Sequence, residues 1–285
     1  MNAAEILELD AVRFIEPTYA DLIDSTFTAR LEEARASQGR LLLDEESDPL
    51  ALAFEVESGW ITGSFLYRRP TSAVIQRFED TNGDIYQEDR AAWCSAVREY
   101  YSREILETVP PAMPDLNPDR HAIIENLITS VWGTRAPGTA CLDCCCGSGV
   151  GSAVLRKLGM KPVSYDNDAA LLSLGLREGR LLPEETMCID GTRAVKYTRP
   201  IPLGIGIMMG EINEFNREMW EAIVHGLLVL TQETIITVGT EKEARLVGEW
   251  AEERQQETRV FENTADPIYD RWVIVANGGE PGKLG

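Results

Sequence analysis

From residue 138 onward the chain alternates short apolar runs with stretches of helical period, and the first three runs each close on an aspartate. The run 138–146 (GTACLDCCC) is small and apolar, as a parallel strand covered on both faces should be. Val154, Leu155 and Leu158 then recur at helical spacing, with Ser152 placed to cap the helix and Gly159 to end it in a left-handed turn. A second run, 162–165, ends in Asp166; a third, 186–189, ends in Asp190 and Gly191; a fourth, 203–209, delivers the segment GEINEFN at 210–216. A helix over 217–230 and a further long helical stretch lead to 259–263 and 271–276, two strands joined hairpin-fashion around Asp266-Pro267. Three consecutive strands closing on aspartates put three carboxylates along the carboxyl edge of one sheet, where open α/β sheets bind ligands.

The earlier part is patterned differently. Pro110-Pro111, Pro114 and Asn117-Pro118 mark a break, and Asn117 and Pro118 suit the N-cap and first position of a helix over 118–132 carrying Ile123, Ile124, Leu127, Ile128 and Val131 on one side. The expected division is 1–112, an accessory α+β region, and 113–285, the ligand-binding domain. Within the first region Tyr19, Ile23, Phe27 and Leu31 predict a helix over 18–37. Leu50, Leu52, Phe54 and Val56 alternate as a strand, Gly59 turns the chain into 60–67, and Trp93, Val97, Tyr100, Tyr101 and Ile105 predict a helix over 89–109. Trp60, Phe65, Tyr67, Trp93, Tyr100 and Tyr101 could line a substrate pocket under a cap formed by this region. Their spacing is also what packing alone requires, and core is the expected role of most of them.

Charge narrows the partners. The 285 residues carry a formal net charge of −20, and residues 1–120 hold 24 acids, 11 arginines and no lysine. Such a surface repels polyanions, which argues against nucleic acid as acceptor. No run of eighteen apolar residues exists and the N-terminus is acidic, so neither a membrane span nor a signal peptide is expected and the cytoplasm is the expected compartment. Six cysteines include three in succession, Cys144 to Cys146, a pattern unsuited to an oxidising compartment. Cys141 and Cys144 form a C-x-x-C, but the remaining Cys94, Cys188, His121 and His225 are scattered, and no metal site is expected.

The segment 142–152, LDCCCGSGVGS, carries the chemistry: an acid at a strand end, then a glycine-spaced turn where backbone N–H groups can approach a ligand at the start of a helix. An acid after the second strand, Asp166, can take both hydroxyls of a ribose. With these features the chain resembles the class I S-adenosyl-L-methionine-dependent methyltransferases, whose first motif is an apolar strand ending in Asp or Glu followed by x-Gly-x-Gly-x-Gly. Asp143 to Gly149 matches, with Cys145 in place of the first glycine. The resemblance spans roughly residues 121–277. It implies a Rossmann-like α/β sheet of seven strands with an antiparallel C-terminal pair, preceded by the acidic α+β region. It also implies the ligand set: Asp143 toward the methionine ammonium, Cys145, Gly147 and Gly149 in the backbone cradle, Asp166 with Asn167 at the ribose, and Asp190 with Gly191 at the adenine.

A dinucleotide-binding oxidoreductase competes, because Gly147, Gly149 and Gly151 begin like G-x-G-x-x-G. Ser152 stands at that motif's third glycine position, and an acid four residues before the first glycine suits an ammonium better than a pyrophosphate. The activity implied is methyl transfer to a small molecule or a protein side chain; the alternative is a partner or sensor protein that binds the cofactor without transferring. At the fourth strand Glu211, Asn213 and Glu214 are the candidates for acceptor binding or proton removal. GEINEF stands there in place of the Asp/Asn-Pro-Pro-aromatic motif of enzymes that methylate exposed bases.

Overall fold

The computed structural model describes residues 1–81, 83–114, 117 and 119–278; Pro118, expected to begin a helix, lies outside the described residues. The chain divides into two compact units, Met1–Glu104 and Ile105–Gly285. The division falls inside a helix, Arg90–Thr108, rather than in the proline-rich segment that follows it.

The first unit contains α1 (Ala3–Ile6), β1 (Arg13–Phe14), α2 (Ala29–Glu32), β2 (Gln38–Leu43), β3 (Pro49–Val56), β4 (Gly59–Ser64), α3 (Ser72–Glu79), β5 (Asp84–Gln87) and α4 (Arg90–Thr108). Its sheet runs β1-β4-β3-β2-β5. The alternation expected of β3 gives way to a strand with Leu50 to Phe54 all buried. One face of it packs Leu52 and Phe54 against Ile15, Leu31, Val74 and Phe78. The helix expected over 18–37 is broken into two 3-10 turns and the single turn of α2. Asp24 takes an extended conformation and its side chain accepts from the Thr26 N–H at 2.9 Å, a local bond that competes with helix continuation. The aromatic residues serve packing: Trp93 is fully buried, Phe14 meets Tyr100 edge-on at 4.7 Å, and Tyr100 meets Tyr101 at 5.1 Å.

The second unit contains α5 (Arg120–Trp132), β6 (Ala140–Cys144), α6 (Val150–Lys157), β7 (Lys161–Asp166), α7 (Ala169–Arg177), β8 (Thr186–Cys188), β9 (Ile201–Gly206), α8 (Arg217–Leu230), β10 (Thr231–Val238), α9 (Glu241–Glu253), β11 (Glu257–Glu262) and β12 (Trp272–Asn277). Asn117 does not cap α5; the preceding residue to the helix is Asp119, whose N–H donates to the Asn117 side chain at 3.0 Å. The sheet order is β11-β12-β10-β9-β6-β7-β8. β8, β7, β6, β9 and β10 are mutually parallel, and β12 runs antiparallel to both β10 and β11. Strand order reverses between β6 and β9, so a crevice opens at their carboxyl ends. Ile124 and Ile128 of α5 and Val154 and Leu155 of α6 pack with Leu203, Ile205, Ile235 and Val273 in one core.

A contact between α7 and the turn after β6 fixes that crevice. A Cβ on Gly175 would stand 2.6 Å from the Ser148 carbonyl oxygen and 2.7 Å from Leu181 Cδ1, so the helix presses directly on the turn's backbone. Gly248 in α9 differs, since a Cβ there meets only Val260 Cγ2 at 3.5 Å, an ordinary contact. Gly175→Ala is therefore expected to destabilise by about 1–3 kcal/mol through overpacking, despite alanine's better helix propensity. Gly248→Ala is expected to stabilise by up to about 1 kcal/mol. Urea unfolding of both proteins checks the opposite signs.

Candidate functional site

The turn after β6 holds three left-handed residues, Cys145 (φ 52°), Gly147 (φ 52°) and Gly149 (φ 80°). A non-glycine residue in that region costs on the order of 1–2 kcal/mol, so Cys145 carries backbone strain where the resembling motif has glycine, yet the turn keeps its course. The Cys146 N–H donates to the Tyr165 carbonyl at 3.0 Å and the Gly149 N–H to the Cys146 carbonyl at 2.8 Å, tying the turn to β7 and to itself. Gly147 faces open space, with its nearest neighbour, Leu171 Cδ1, 4.0 Å from a notional Cβ. Gly149 is glycine for another reason: a Cβ would lie 2.4 Å from Leu181 Cγ, and the residue is outside the set lining the cavity.

Asp143 sits behind this turn at 1 % exposure. Its Oδ2 accepts from Ser152 Oγ at 2.5 Å, and Ser152 Oγ lies 2.6 Å from Ser164 Oγ. Ser152 is therefore a buried partner of the carboxylate; the N-cap of α6 is Gly149. Gly151 makes room for the same group, since a Cβ there would lie 2.9 Å from Asp143 Oδ2. Burial pushes the Asp143 carboxyl up to about 7, opposed by the Ser152 hydrogen bonds and reinforced by the charge on Asp166. Asp166 ends β7, and its two oxygens accept from the Gly147 N–H at 2.9 Å and the Asp168 N–H at 2.8 Å. Burial raises its carboxyl as well, and those bonds pull it back. Asp190 caps the following 3-10 turn, taking the Thr192 N–H at 2.9 Å and hydroxyl at 2.8 Å, and is exposed.

These three carboxylates face one cavity of about 490 Å³, within the range of small-molecule sites. Of the residues expected at the site, Asp143, Cys145, Gly147, Asp166, Asn167, Asp190 and Gly191 line it. Glu211, Asn213 and Glu214 do not: all three are exposed on the loop after β9, where the Asn213 side chain accepts from the Phe215 N–H and Asn216 bonds back to the Glu211 carbonyl. Gly151, noted in sequence only for the competing dinucleotide pattern, and Arg120, which no pattern singled out, also line the cavity. Arg120 is the only cation among the described lining residues, and a neighbouring cavity of about 470 Å³ shares it and adds His121 and Arg180. His225 lies elsewhere, with ligand atoms of Glu221 and Glu253 gathered within 4.8 Å of one another and of its own.

The parallel five-strand run, the antiparallel β12 between β10 and β11, and the glycine turn at the strand-order reversal give the second unit a Rossmann-like α/β fold with an antiparallel C-terminal strand pair. Similar solved structures include a magnesium protoporphyrin IX methyltransferase from Synechocystis with bound SAM, at 12% identity over 65% of this chain and 97% of that one, TM-score 0.46. A TehB-like SAM-dependent methyltransferase from Corynebacterium glutamicum shares 17% identity over 64% of this chain and 98% of its own, TM-score 0.44. An rRNA methylase from Streptococcus thermophilus shares 13% over 59% and 100%, TM-score 0.42. No family model and no curated protein sequence matches the chain. Among the described residues no helix is long and apolar enough to cross a membrane.

Burial holds the folded-state carboxyl of Asp143 above its ordinary 3.8, so its ionisation costs the protein stability as pH rises from about 4 through 7. Asp143→Asn removes that charge. At pH 8 it is expected to unfold at a higher temperature than wild type, by a gain on the order of 1 kcal/mol, about 2–4 °C. A scan at pH 4, where the wild-type carboxyl is already protonated, should show that gain vanish.

Proposed function

We propose that the second unit binds S-adenosyl-L-methionine across the carboxyl ends of β6, β7 and β8 and transfers its methyl group to a small molecule or a protein side chain. The reading rests chiefly on Asp143, a buried carboxyl with a serine hydroxyl as its side-chain partner, facing a cavity of cofactor size. A cationic amino group is the ligand that recovers the cost of ionising it, and a pyrophosphate is the one it repels. That contrast favours a sulfonium nucleoside over a dinucleotide.

The remaining residues fit the same ligand. Asp143 would take the ammonium end, and the turn at Cys145 and Gly147 would approach the amino-acid backbone. Asp166 with Asn167 would hold the ribose, and Asp190 with Gly191 would face the adenine. When bound, the cofactor supplies an electrophilic methyl on a positively charged sulfur. The chain's task is then alignment and exclusion of water, for which Met208, Met219, Trp220 and Ile223 supply an apolar wall. Glu211 and Glu214 point no base into the cavity, which suits a nucleophile that attacks without a proton-accepting side chain from that loop. The net charge of −20 favours an acceptor other than a polyanion.

Calorimetry is expected to detect S-adenosylhomocysteine binding to the wild type, and Asp166→Ala to weaken it more than tenfold, about 1.4 kcal/mol or more. Absence of heat and of any thermal shift at high protein concentration contradicts the cofactor assignment. Incubation with methyl-labelled S-adenosyl-L-methionine and cell extract is expected to label an acceptor; binding without label would instead make the protein a cofactor-binding partner or sensor.

A further inference from the structure

The cavity's polar wall is unbalanced, and the imbalance concerns donors. Once ionised, Asp143, Asp166 and Asp190 offer only acceptors, and in the reading above a cofactor's amino and hydroxyl groups would meet all three. Arg120 lines the same space with donors that the chain leaves largely unused. The Arg120 side chain is 9 % exposed, and its Nη2 lies 3.3 Å from Asp270 Oδ2, longer than the 2.7–2.9 Å of a good charge-assisted bond. Its Nη1 donates to the Met208 sulfur at 3.1 Å, a weak acceptor, and its Cζ lies 5.6 Å from the centre of the Tyr269 ring. Asp270 spends its other oxygen on the Thr237 hydroxyl at 2.5 Å, which fixes the carboxylate beneath the guanidinium.

A guanidinium has five N–H donors in a planar fork, and among the described residues the Arg120 side chain meets one thioether and one long carboxylate contact, which leaves it donors to spare. The group that completes it is a second, planar carboxylate approaching from the cavity. The surroundings state the rest of the ligand: Met113, Met208, Met219 and Tyr269 line the cavity and are 88, 41, 45 and 42 % exposed, an apolar rim on a chain otherwise rich in charge. Methionine's flexible thioether suits such a rim to an apolar body.

We propose that Arg120 forms the receptor for an organic carboxylate whose apolar body rests on these methionines and Tyr269, so that the methyl acceptor is an amphipathic organic acid. The inference rests on the carboxylate-lined end of the cavity being the cofactor's. The one other source of such a carboxylate is the cofactor's own amino-acid end, and the two are separable.

The test uses the full chain saturated with S-adenosylhomocysteine, with 1-naphthoate and its neutral isostere 1-naphthamide as probes. Wild type should bind naphthoate at least tenfold more tightly than the amide. Arg120→Gln alone strands Asp270, so the double variant R120Q/D270N removes both charges of the pair; it should abolish the preference while changing S-adenosylhomocysteine affinity less than threefold, and R120K should retain part of it. A wild type without the preference, or a double variant that keeps it, overturns the proposal. So does a double variant that loses S-adenosylhomocysteine affinity and keeps naphthoate, which assigns Arg120 to the cofactor. If S-adenosylhomocysteine does not bind at all, the cofactor reading fails by itself, and the naphthoate preference measured on the free protein still decides the role of Arg120.

Discussion

A carboxylate held out of water at the end of β6 is the constraint to which the neighbouring residues conform. Ser152 is spent on it, Gly151 is glycine beneath it, and Ser164 on the adjacent strand completes the buried hydroxyl pair. The turn that covers it is fixed from outside by Gly175 of α7 and by Leu181, each in contact that admits no extra carbon. Burying an ionisable group with only Ser152, through its hydroxyl and its backbone, to solvate it is expensive, and burial is what pushes the carboxyl up to about 7. Structures retain such arrangements where a ligand of opposite charge recovers the cost, because the site is then organised before the ligand arrives.

The same logic divides the cavity into two ends. Three carboxylates at the strand tips ask for donors and positive charge; a single guanidinium, pinned by Asp270 and resting near Tyr269, asks for an acceptor and negative charge. Methionine and tryptophan side chains line the same cavity without adding charge. A ligand pair with one cationic, hydroxyl-rich member and one amphipathic acid satisfies both ends, whereas a uniformly anionic or uniformly cationic ligand satisfies only one.

Sequence pattern read the second unit well because its signals are local. Strand runs closing on Asp143, Asp166 and Asp190 need only a hydrophobic stretch and a stop, and the glycine spacing declares the turn between them. It failed where tertiary context decides. Ser152 looks like a cap, but Asp143, nine residues earlier, claims its hydroxyl. Gly149 looks like a cradle residue, and what demands glycine there is its left-handed φ of 80° together with Leu181, thirty-two residues on. Arg120 gave no signal, since a single arginine at a helix start is ordinary until Asp270 and Tyr269 are brought beneath it from the far end of the chain. In the first unit, β2 and α3 escaped because Gln38–Leu43 has no clean alternation, and the helix expected over 18–37 yielded to the side-chain bond of Asp24.

The buried carboxylate can be observed directly. With aspartate side-chain carboxyls labelled with carbon-13, an NMR titration assigned by the Asp143→Asn spectrum should place the Asp143 transition near pH 7 in the free protein. With S-adenosylhomocysteine bound, the carboxyl should stay ionised to at least one pH unit lower, because it then pairs with an ammonium. A transition already at the ordinary aspartate range in the free protein, or one that ligand leaves unmoved, would contradict the account.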